Sequence, residues 1–206
     1  MTSGPAKDLA DRARDVLGAV PGGRAFLAHW PTTAEDRTVA PSCLPVMRVL
    51  PRLAALASPA TRGIIEQLVD AAERLAWRQT YGPEDFGAAF LESYGWSELV
   101  GLRGPIASEA IACGVLLLGA ATDYPSHAHE AEELYVPLAG TAFWQCGAGP
   151  FTARVPGEAI HHPSWTPHAM RTAAEPLLAL YAWRGGDLAA KSTIVAGGGA
   201  EAGGGA

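Results

Sequence analysis

Hydrophobic residues in the first half of the chain recur at the spacing of an α-helix. Between Asp8 and Val20 they fall every three or four positions, which places them on one face of a helix. A second stripe, from Ile64 to Ala76, follows Ser58-Pro59, where a hydroxyl cap precedes a proline at the first helical position. A further helix is predicted from Pro83 to Gly95, and a weaker one, interrupted by two prolines, from Cys43 to Leu56.

Beyond Trp96 the pattern changes to short apolar or alternating runs that Gly, Pro and Asp separate, as is typical of β-strands. The runs are Ile111–Leu118, Leu134–Leu138, Thr141–Gln145, Phe151–Val155 and Leu177–Trp183. We therefore predict an α+β, mainly β protein, with a helical region over residues 1–95 packed on a β-barrel over residues 96–195. A glycine- and alanine-rich segment over residues 196–206 is expected to be a disordered tail. The helices are expected to cover barrel edges or to form a dimer interface.

The composition is that of a folded, globular chain. The 206 residues are 49% hydrophobic and 17% charged, which excludes intrinsic disorder. A net charge of −6 argues against nucleic-acid binding, and no apolar run reaches the roughly 18 residues of a membrane span. The first five residues do not resemble a secretory signal, and the three cysteines are interpreted as buried small hydrophobes. These features predict a cytoplasmic protein without nucleic-acid or membrane partners.

Five of the six histidines lie between His127 and His168. Side chains alternate between the faces of a strand, so an extended segment would place His127, His129 and Glu133 on one face, together with Tyr135. Imidazole and carboxylate groups bind divalent Zn, Fe, Mn or Ni, and His168, flanked by Pro167, is the best third nitrogen. Burying this face without a metal would cost several kcal/mol, on the order of what one desolvated carboxylate costs. The alternative is an ordinary polar strand that faces solvent.

Two spaced motifs carry a resemblance to the cupin family. The first is His127-x-His129, three residues, Glu133, six residues and Gly140. The second contains Gly157, Pro163 and His168 at the family's spacing, with Trp165 where a glycine is usual. The adjacent His161 and His162 point in opposite directions if the chain is extended, and are interpreted as surface residues or as neighbours of the ligands. The resemblance implies a jelly-roll barrel with a metal inside it.

Within the cupins, the chain is similar to bacterial dimethylsulfoniopropionate (DMSP) lyases. The similarity extends over nearly the whole chain except the glycine-rich tail. It includes Gly95–Leu99, Tyr124, Glu133-x-Tyr135, His168–Met170 and Tyr181–Asp187. The resemblance implies a metal-dependent carbon–sulfur lyase that cleaves DMSP to dimethyl sulfide and acrylate, with His127, His129, Glu133 and His168 as the metal ligands.

Elimination from DMSP requires a base that removes the proton beside the carboxylate. Tyr135 is one candidate, because it shares the ligand face and a nearby divalent cation would lower its pKa from the usual ~10. Tyr124 is the other; its strand parity is opposite, but Pro125 can break the alternation. Trp183, with Tyr181 or Trp165 beside it, could hold the sulfonium by cation–π attraction. Trp183 could equally be barrel core, and the core interpretation is favoured for Tyr181 and Trp165.

Two other functions use the same residues. A cupin oxygenase acting on a small organic acid would consume O₂ during turnover, and a non-enzymatic metal- or small-molecule-binding cupin would form no product. The sequence does not decide which metal binds, nor whether the protein is a homodimer. The partner expected in each case is a small molecule, which for a lyase is a zwitterion with a sulfonium and a carboxylate.

Overall fold

A computed structural model describes residues 5–33 and 36–195, and these contain five α-helices and twelve β-strands. The helices are α1 (Pro5–Ala19), α2 (Gly23–Leu27), α3 (Leu50–Leu53), α4 (Arg62–Ala71) and α5 (Ala88–Leu91). Short 3-10 segments occupy Pro45–Val49, Ala54–Leu56 and Ala72–Arg74. The strands are β1 (Trp77–Arg78), β2 (Tyr94–Gly101), β3 (Ile106–Ala107), β4 (Ile111–Leu118), β5 (Asp123–Ala128), β6 (Glu132–Ala139), β7 (Ala142–Cys146), β8 (Thr152–Arg154), β9 (Ile160–His162), β10 (His168–Thr172), β11 (Leu177–Arg184) and β12 (Thr193–Ile194). The predicted tail over residues 196–206 lies outside the described residues.

The strands form two sheets. The larger sheet has the order β1-β2-β4-β11-β6-β9, with β3 added beside β2, and the smaller has the order β12-β5-β10-β7-β8. All pairings are antiparallel except that of β2 with β3. This is the mainly β architecture with an N-terminal helical layer that the sequence predicts.

Each face of the larger sheet is covered. On one face, Leu117 and Leu180 join a core with Leu17 of α1 and Leu68 of α4. On the other face, Leu116 packs in a second core with residues of the smaller sheet. Because β4 and β11 are buried on both sides, their sequences are continuous apolar runs instead of alternating ones. The stripe on α1 and both of these strands are therefore confirmed. The second stripe is α-helical only from Arg62 to Ala71, with Thr61 as its N-cap, so the predicted start at Ser58-Pro59 is wrong.

The region between residues 83 and 101 differs from the prediction. Only α5 is helical there, and β2 already begins at Tyr94, so the predicted boundary at residue 95 falls inside a strand. In β2 the residues of one face, such as Leu99, contact the helices, while Trp96 packs toward the second core. Such alternation is a strand signal that the glycine at position 95 obscured, since glycine also ends helices.

Two of the three cysteines are not where the composition suggested. Cys113 is buried, but Cys43 and Cys146 are exposed, and all three are free thiols. The prediction that all three are buried is therefore wrong for two of them. Among the described residues, no helix is both long and apolar enough to cross a membrane.

Candidate active site

The larger sheet contributes a row of polar side chains to the space between the sheets. In the register of β11, β6 and β9, Trp183 lies opposite Glu133, and Glu133 lies opposite His162. Tyr181 is two residues before Trp183 on β11, and it lies opposite Tyr135, which is two residues after Glu133 on β6. Because residues directly opposite each other share a face, all five side chains belong to the same inner surface.

The smaller sheet contributes His127 and His168, which lie opposite each other on β5 and β10. The next partners are Tyr124 and Met170, so three steps along β5 correspond to two along β10. This is a β-bulge around Pro125, and the extra residue brings Tyr124 to the same side as His127. Their rings stack with centroids 4.3 Å apart. The expectation that Pro125 breaks the alternation is confirmed.

His129 lies in the connection between β5 and β6, which belong to different sheets. The prediction of one extended segment from His127 to Tyr135 is therefore wrong, because the chain turns from one sheet to the other between Ala128 and Glu132. The turn nevertheless brings the histidines together. One nitrogen each of His127, His129 and His168 lies within 4.8 Å of the others, and all three residues are buried.

Backbone carbonyls orient all three rings in the same way. Nδ1 of His127 lies 2.9 Å from the carbonyl oxygen of Pro125, Nδ1 of His129 is 2.8 Å from that of Ala131, and Nδ1 of His168 is 2.9 Å from that of Thr166. A carbonyl only accepts hydrogen bonds, so each Nδ1 must carry the proton. The lone pair of each neutral imidazole is then on Nε2, as in rings that bind metals through Nε2.

Glu133 completes the cluster. Its Oε2 lies 3.0 Å from Nε2 of His129 and 3.1 Å from Nε2 of His168. Its Oε1 accepts a hydrogen bond of 2.5 Å from the indole N–H of Trp183. The carboxylate is fully buried, with 0% of its surface exposed. The side chain is thus fixed by Trp183 on one side and faces two imidazole nitrogens on the other.

The electrostatics keep the carboxylate charged and one imidazole neutral. Burial alone would raise the pKa of Glu133, but its contacts with the imidazoles of His129 and His168 outweigh burial and hold this pKa well below its ordinary value. Burial, together with His168, lowers the pKa of His127 to about 3. Burial opposes a charge on His129 as well, but the carboxylate of Glu133 raises the pKa of His129 overall.

The donor set fits a divalent transition metal. If the three Nδ1 atoms are protonated, lone pairs of Nε2 point at a carboxylate oxygen about 3 Å away, an arrangement that a cation would stabilise. Nε2 of His168 is buried and has no hydrogen-bond partner among the described residues, which is consistent with a nitrogen that serves as a ligand. Three imidazole nitrogens and one carboxylate oxygen are borderline donors that suit Zn, Fe, Mn or Ni.

A cavity of about 320 Å³ opens beside this cluster. Four of the predicted aromatic residues line it: Tyr124, Tyr135, Tyr181 and Trp183. Trp165 does not, because it lies on the loop before β10 with 57% of its surface exposed. Trp165 therefore belongs neither to the substrate wall nor to the barrel core, and both interpretations of it are wrong. Its φ of 57° shows why the cupin motif usually has glycine at this position.

The pair His161 and His162 divides as alternation requires. His162 is buried, and its ring stacks on His168 with centroids 4.1 Å apart, whereas His161 is exposed. The interpretation of this pair as a neighbour of the ligands and a surface residue is confirmed. Two other features of the cavity were not predicted. Glu98 on β2 also lines the cavity, and so does a segment after β11, residues 188–192. The alternation of Trp96 and Glu98 could have revealed this wall if the region had been interpreted as a strand.

Together, the two facing sheets and the buried cluster of three histidines and one glutamate define a barrel of the cupin type. A profile of the DMSP lyase family matches residues 24–179. The chain belongs to the DMSP lyase family.

Named relatives agree with this assignment. The DMSP lyase DddQ of Ruegeria pomeroyi is 34% identical over 155 residues, which are 75% of this chain and 77% of the relative. The putative DMSP lyase DddL of Cereibacter sphaeroides is 31% identical over 188 residues, or 90% of this chain and 75% of the relative. The crystal structure of DddQ from Ruegeria pomeroyi has a TM-score of 0.86 at 31% identity, covering 94% of this chain and 98% of the other.

Proposed function

We propose that this protein is a metal-dependent lyase that cleaves DMSP by β-elimination to dimethyl sulfide and acrylate. The observation that carries the proposal is the buried cluster of His127, His129, His168 and Glu133 beside a small cavity that Tyr124 and Tyr135 line with other aromatic residues. The family and the named relatives support the choice of substrate.

The reaction balances without an added oxidant or reductant. A base takes the proton from the carbon next to the carboxylate, and the electron pair left behind forms the new C=C bond. The C–S bond breaks with its electrons remaining on sulfur, so neutral dimethyl sulfide leaves and acrylate remains. The base then returns its proton to water. The protein must therefore hold a carboxylate, hold a sulfonium and supply one proton acceptor.

The metal ligands in this proposal are His127, His129, Glu133 and His168. A divalent cation held there would supply positive charge that stabilises the negative charge developing on the substrate carboxylate and favours an ionised phenol nearby. The carbonyl contacts to each Nδ1 fix the three rings, and the Trp183 indole fixes Glu133, so the donors are arranged before an ion binds.

Tyr135 is the proposed base, and Tyr124 is the alternative. Tyr135 shares the inner surface with Glu133 and lines the cavity. The hydroxyl of Tyr124 instead donates a hydrogen bond of 3.3 Å to the hydroxyl of Tyr81. The phenol of Tyr135 also has a hydrogen-bond partner, the carboxylate of Glu133, so Tyr135 is preferred for its place beside a proposed metal ligand. Trp183 and Tyr181 are the proposed aromatic wall for the sulfonium.

Headspace gas chromatography of dimethyl sulfide, released by the pure, metal-loaded protein mixed with DMSP, tests the proposal. Equal amounts of acrylate and dimethyl sulfide, with no O₂ consumed, are expected. O₂ consumption would support an oxygenase instead, and tight DMSP binding without product would support a non-enzymatic binding protein.

Two substitutions test the assigned roles. Removing an imidazole ligand in His129→Ala should abolish release of dimethyl sulfide, because the ion would lose a donor. Tyr135→Phe should lower kcat by at least about 10²-fold, since a general base contributes that much. Tyr124→Phe is the matched control and should retain most activity; the opposite result in the two phenylalanine variants would transfer the role to Tyr124.

We also propose a cytoplasmic location. If the helical layers of two copies pack against each other, the protein would be a homodimer. The three free thiols support a reducing compartment. Size-exclusion chromatography with light scattering would measure the oligomeric state.

A further inference from the structure

The cavity has a second buried carboxylate, on a different strand from Glu133. Glu98 on β2 is only 6% exposed and lines the same cavity as Glu133 and His127. In the sheet register Glu98 lies opposite Gly114, Gly114 lies opposite Tyr181, and Tyr181 lies opposite Tyr135. Glu98 is thus three strands from Tyr135, or about 14 Å between backbones at about 4.8 Å per strand.

Gly114 keeps this row open. A β-carbon at Gly114 would lie 2.2 Å from the carbonyl oxygen of Ser97, and 2.8 Å from both the hydroxyl of Tyr181 and Cα of Glu98. A larger residue would therefore displace both of its neighbours in the row. Trp96, two residues before Glu98 on the same strand, adds an aromatic ring to this end of the cavity.

Only one oxygen of Glu98 has a structural partner. Oε1 accepts the backbone N–H of Gly104 at 2.8 Å and that of Arg103. Among the described residues, none donates a hydrogen bond to Oε2, and no lysine or arginine forms a salt bridge with Glu98. Burial raises the pKa of Glu98 although Arg103 and Arg37 act to lower it. Oε2 retains exposed surface and is the oxygen available to a ligand in the cavity.

We propose that Glu98 is a specificity-determining residue that binds the cationic end of the substrate on β2, three strands along the larger sheet from Glu133. The inference rests on the proposed function for the identity of the cation, a sulfonium. It adds a formal counter-charge to the aromatic wall of Trp183 and Tyr181. The carboxylate of a zwitterion would then lie toward Glu133, and its cation toward Glu98, within one cavity of about 320 Å³.

The test compares two probes that differ in charge at one end. One is 3-(trimethylammonio)propionate, which keeps a positive charge, and the other is 3-(methylthio)propionate, which has none. Isothermal titration calorimetry of the metal-loaded protein should show at least about tenfold tighter binding of the cationic probe. Wild-type protein that binds both probes equally would overturn the inference, whatever the variants do.

Glu98→Gln keeps an oxygen for the Arg103 and Gly104 amides but removes the charge. It should weaken binding of the cationic probe about tenfold or more and leave binding of the neutral probe unchanged. Unchanged binding of the neutral probe also shows that the cavity is intact. Glu109→Gln, at an exposed carboxylate, is the control for net charge and should change neither affinity. Equal loss for both probes would assign Glu98 a purely structural role.

Release of dimethyl sulfide is scored separately. Release by a protein with no preference for the cationic probe would overturn this inference but not the proposed function. A cation preference that Glu98→Gln removes, in a protein that releases no dimethyl sulfide, would overturn the proposed function and retain Glu98 as a cation-binding residue.

Discussion

Trp183 shows how one side chain can serve the cavity and the metal cluster together. Its indole N–H donates to Glu133, while its ring packs against His129 with centroids 4.1 Å apart. The sequence predicts either an aromatic wall or barrel core at this position. The hydrogen bond makes Trp183 a positioning residue for the carboxylate as well, and groups that orient metal ligands typically affect metal affinity.

Replacing Trp183 with phenylalanine should therefore weaken metal binding roughly 10- to 100-fold, because Glu133 loses its donor while most ring packing remains. Competition with a chelator of known affinity would measure the change. Trp144→Phe is the matched control, since the buried indole N–H of Trp144 has no partner among the described residues. Equal metal affinity in Trp183→Phe and wild-type protein would show that the hydrogen bond does not orient the carboxylate.

At the scale of elements, the turn after β6 depends on a glycine of the first cupin motif. Gly140 has a φ of 78°, and a β-carbon there would lie 2.0 Å from the carbonyl oxygen of Pro176. Gly147, after β7, also has a positive φ, of 56°, but a β-carbon there would meet nothing within 4 Å. A comparison of substitutions at Gly140 and Gly147 therefore distinguishes the cost of a positive φ from the cost of a steric collision.

Gly140→Ala should lower the free energy of unfolding by about 2–4 kcal/mol, since it adds a collision to the unfavourable φ. Gly147→Ala should cost only about 1 kcal/mol, from the φ alone. Urea denaturation of both variants would measure the difference. Equal losses would mean that the backbone at Gly140 shifts easily and that the contact with Pro176 is not limiting.

The sequence predicts best those elements whose faces keep the same surroundings, core or solvent, along their whole length. Both faces of β4 are buried, so its apolar run is unambiguous, and α1 shows a single stripe. The segment from His127 to Tyr135 was harder, because β5 and β6 are nearly continuous in sequence but belong to different sheets. Local alternation contains no information about where a chain changes sheets.

The site could be predicted only in part, because some of its residues belong to local motifs and others depend on the register of the sheet. The spaced motifs identify the histidines and Glu133 without any knowledge of the turn at His129. Glu98 could not be found, because its role depends on the register of β2 with β4 and β11, which only the folded sheet supplies. The exposed position of Trp165 likewise depends on the loop that it occupies.

At the scale of the molecule, the helices and one face of the larger sheet share a single hydrophobic core. Leu68 of α4 and Leu17 of α1 belong to the same buried cluster as Leu117 and Leu180 of the sheet. Leu68 itself is 0% exposed. A shared core makes independent folding of the helical region unfavourable, because its apolar face would be exposed.

Leu68→Ala should therefore destabilise the whole protein by about 2–5 kcal/mol and leave one unfolding transition. Far-ultraviolet circular dichroism and tryptophan fluorescence should give coincident urea curves, shifted together. Glu66→Ala, at an exposed position on the same helix, is the control and should change stability by less than about 0.5 kcal/mol. Loss of helical signal before the fluorescence change would indicate two separately folding units.

The proposed ligands are divided between the two halves of the barrel: His127 and His168 belong to the smaller sheet, Glu133 to the larger one, and His129 to the connection. An ion held there would act as a cross-link between the two sheets. Metal binding and thermal unfolding would then be linked, because the ion would bind only the folded protein. Each tenfold excess of free ion over its Kd should add about 1.4 kcal/mol, and treatment with a chelator should lower Tm. Dissociation of the ion would therefore remove the catalytic metal and the link between the two sheets at the same time.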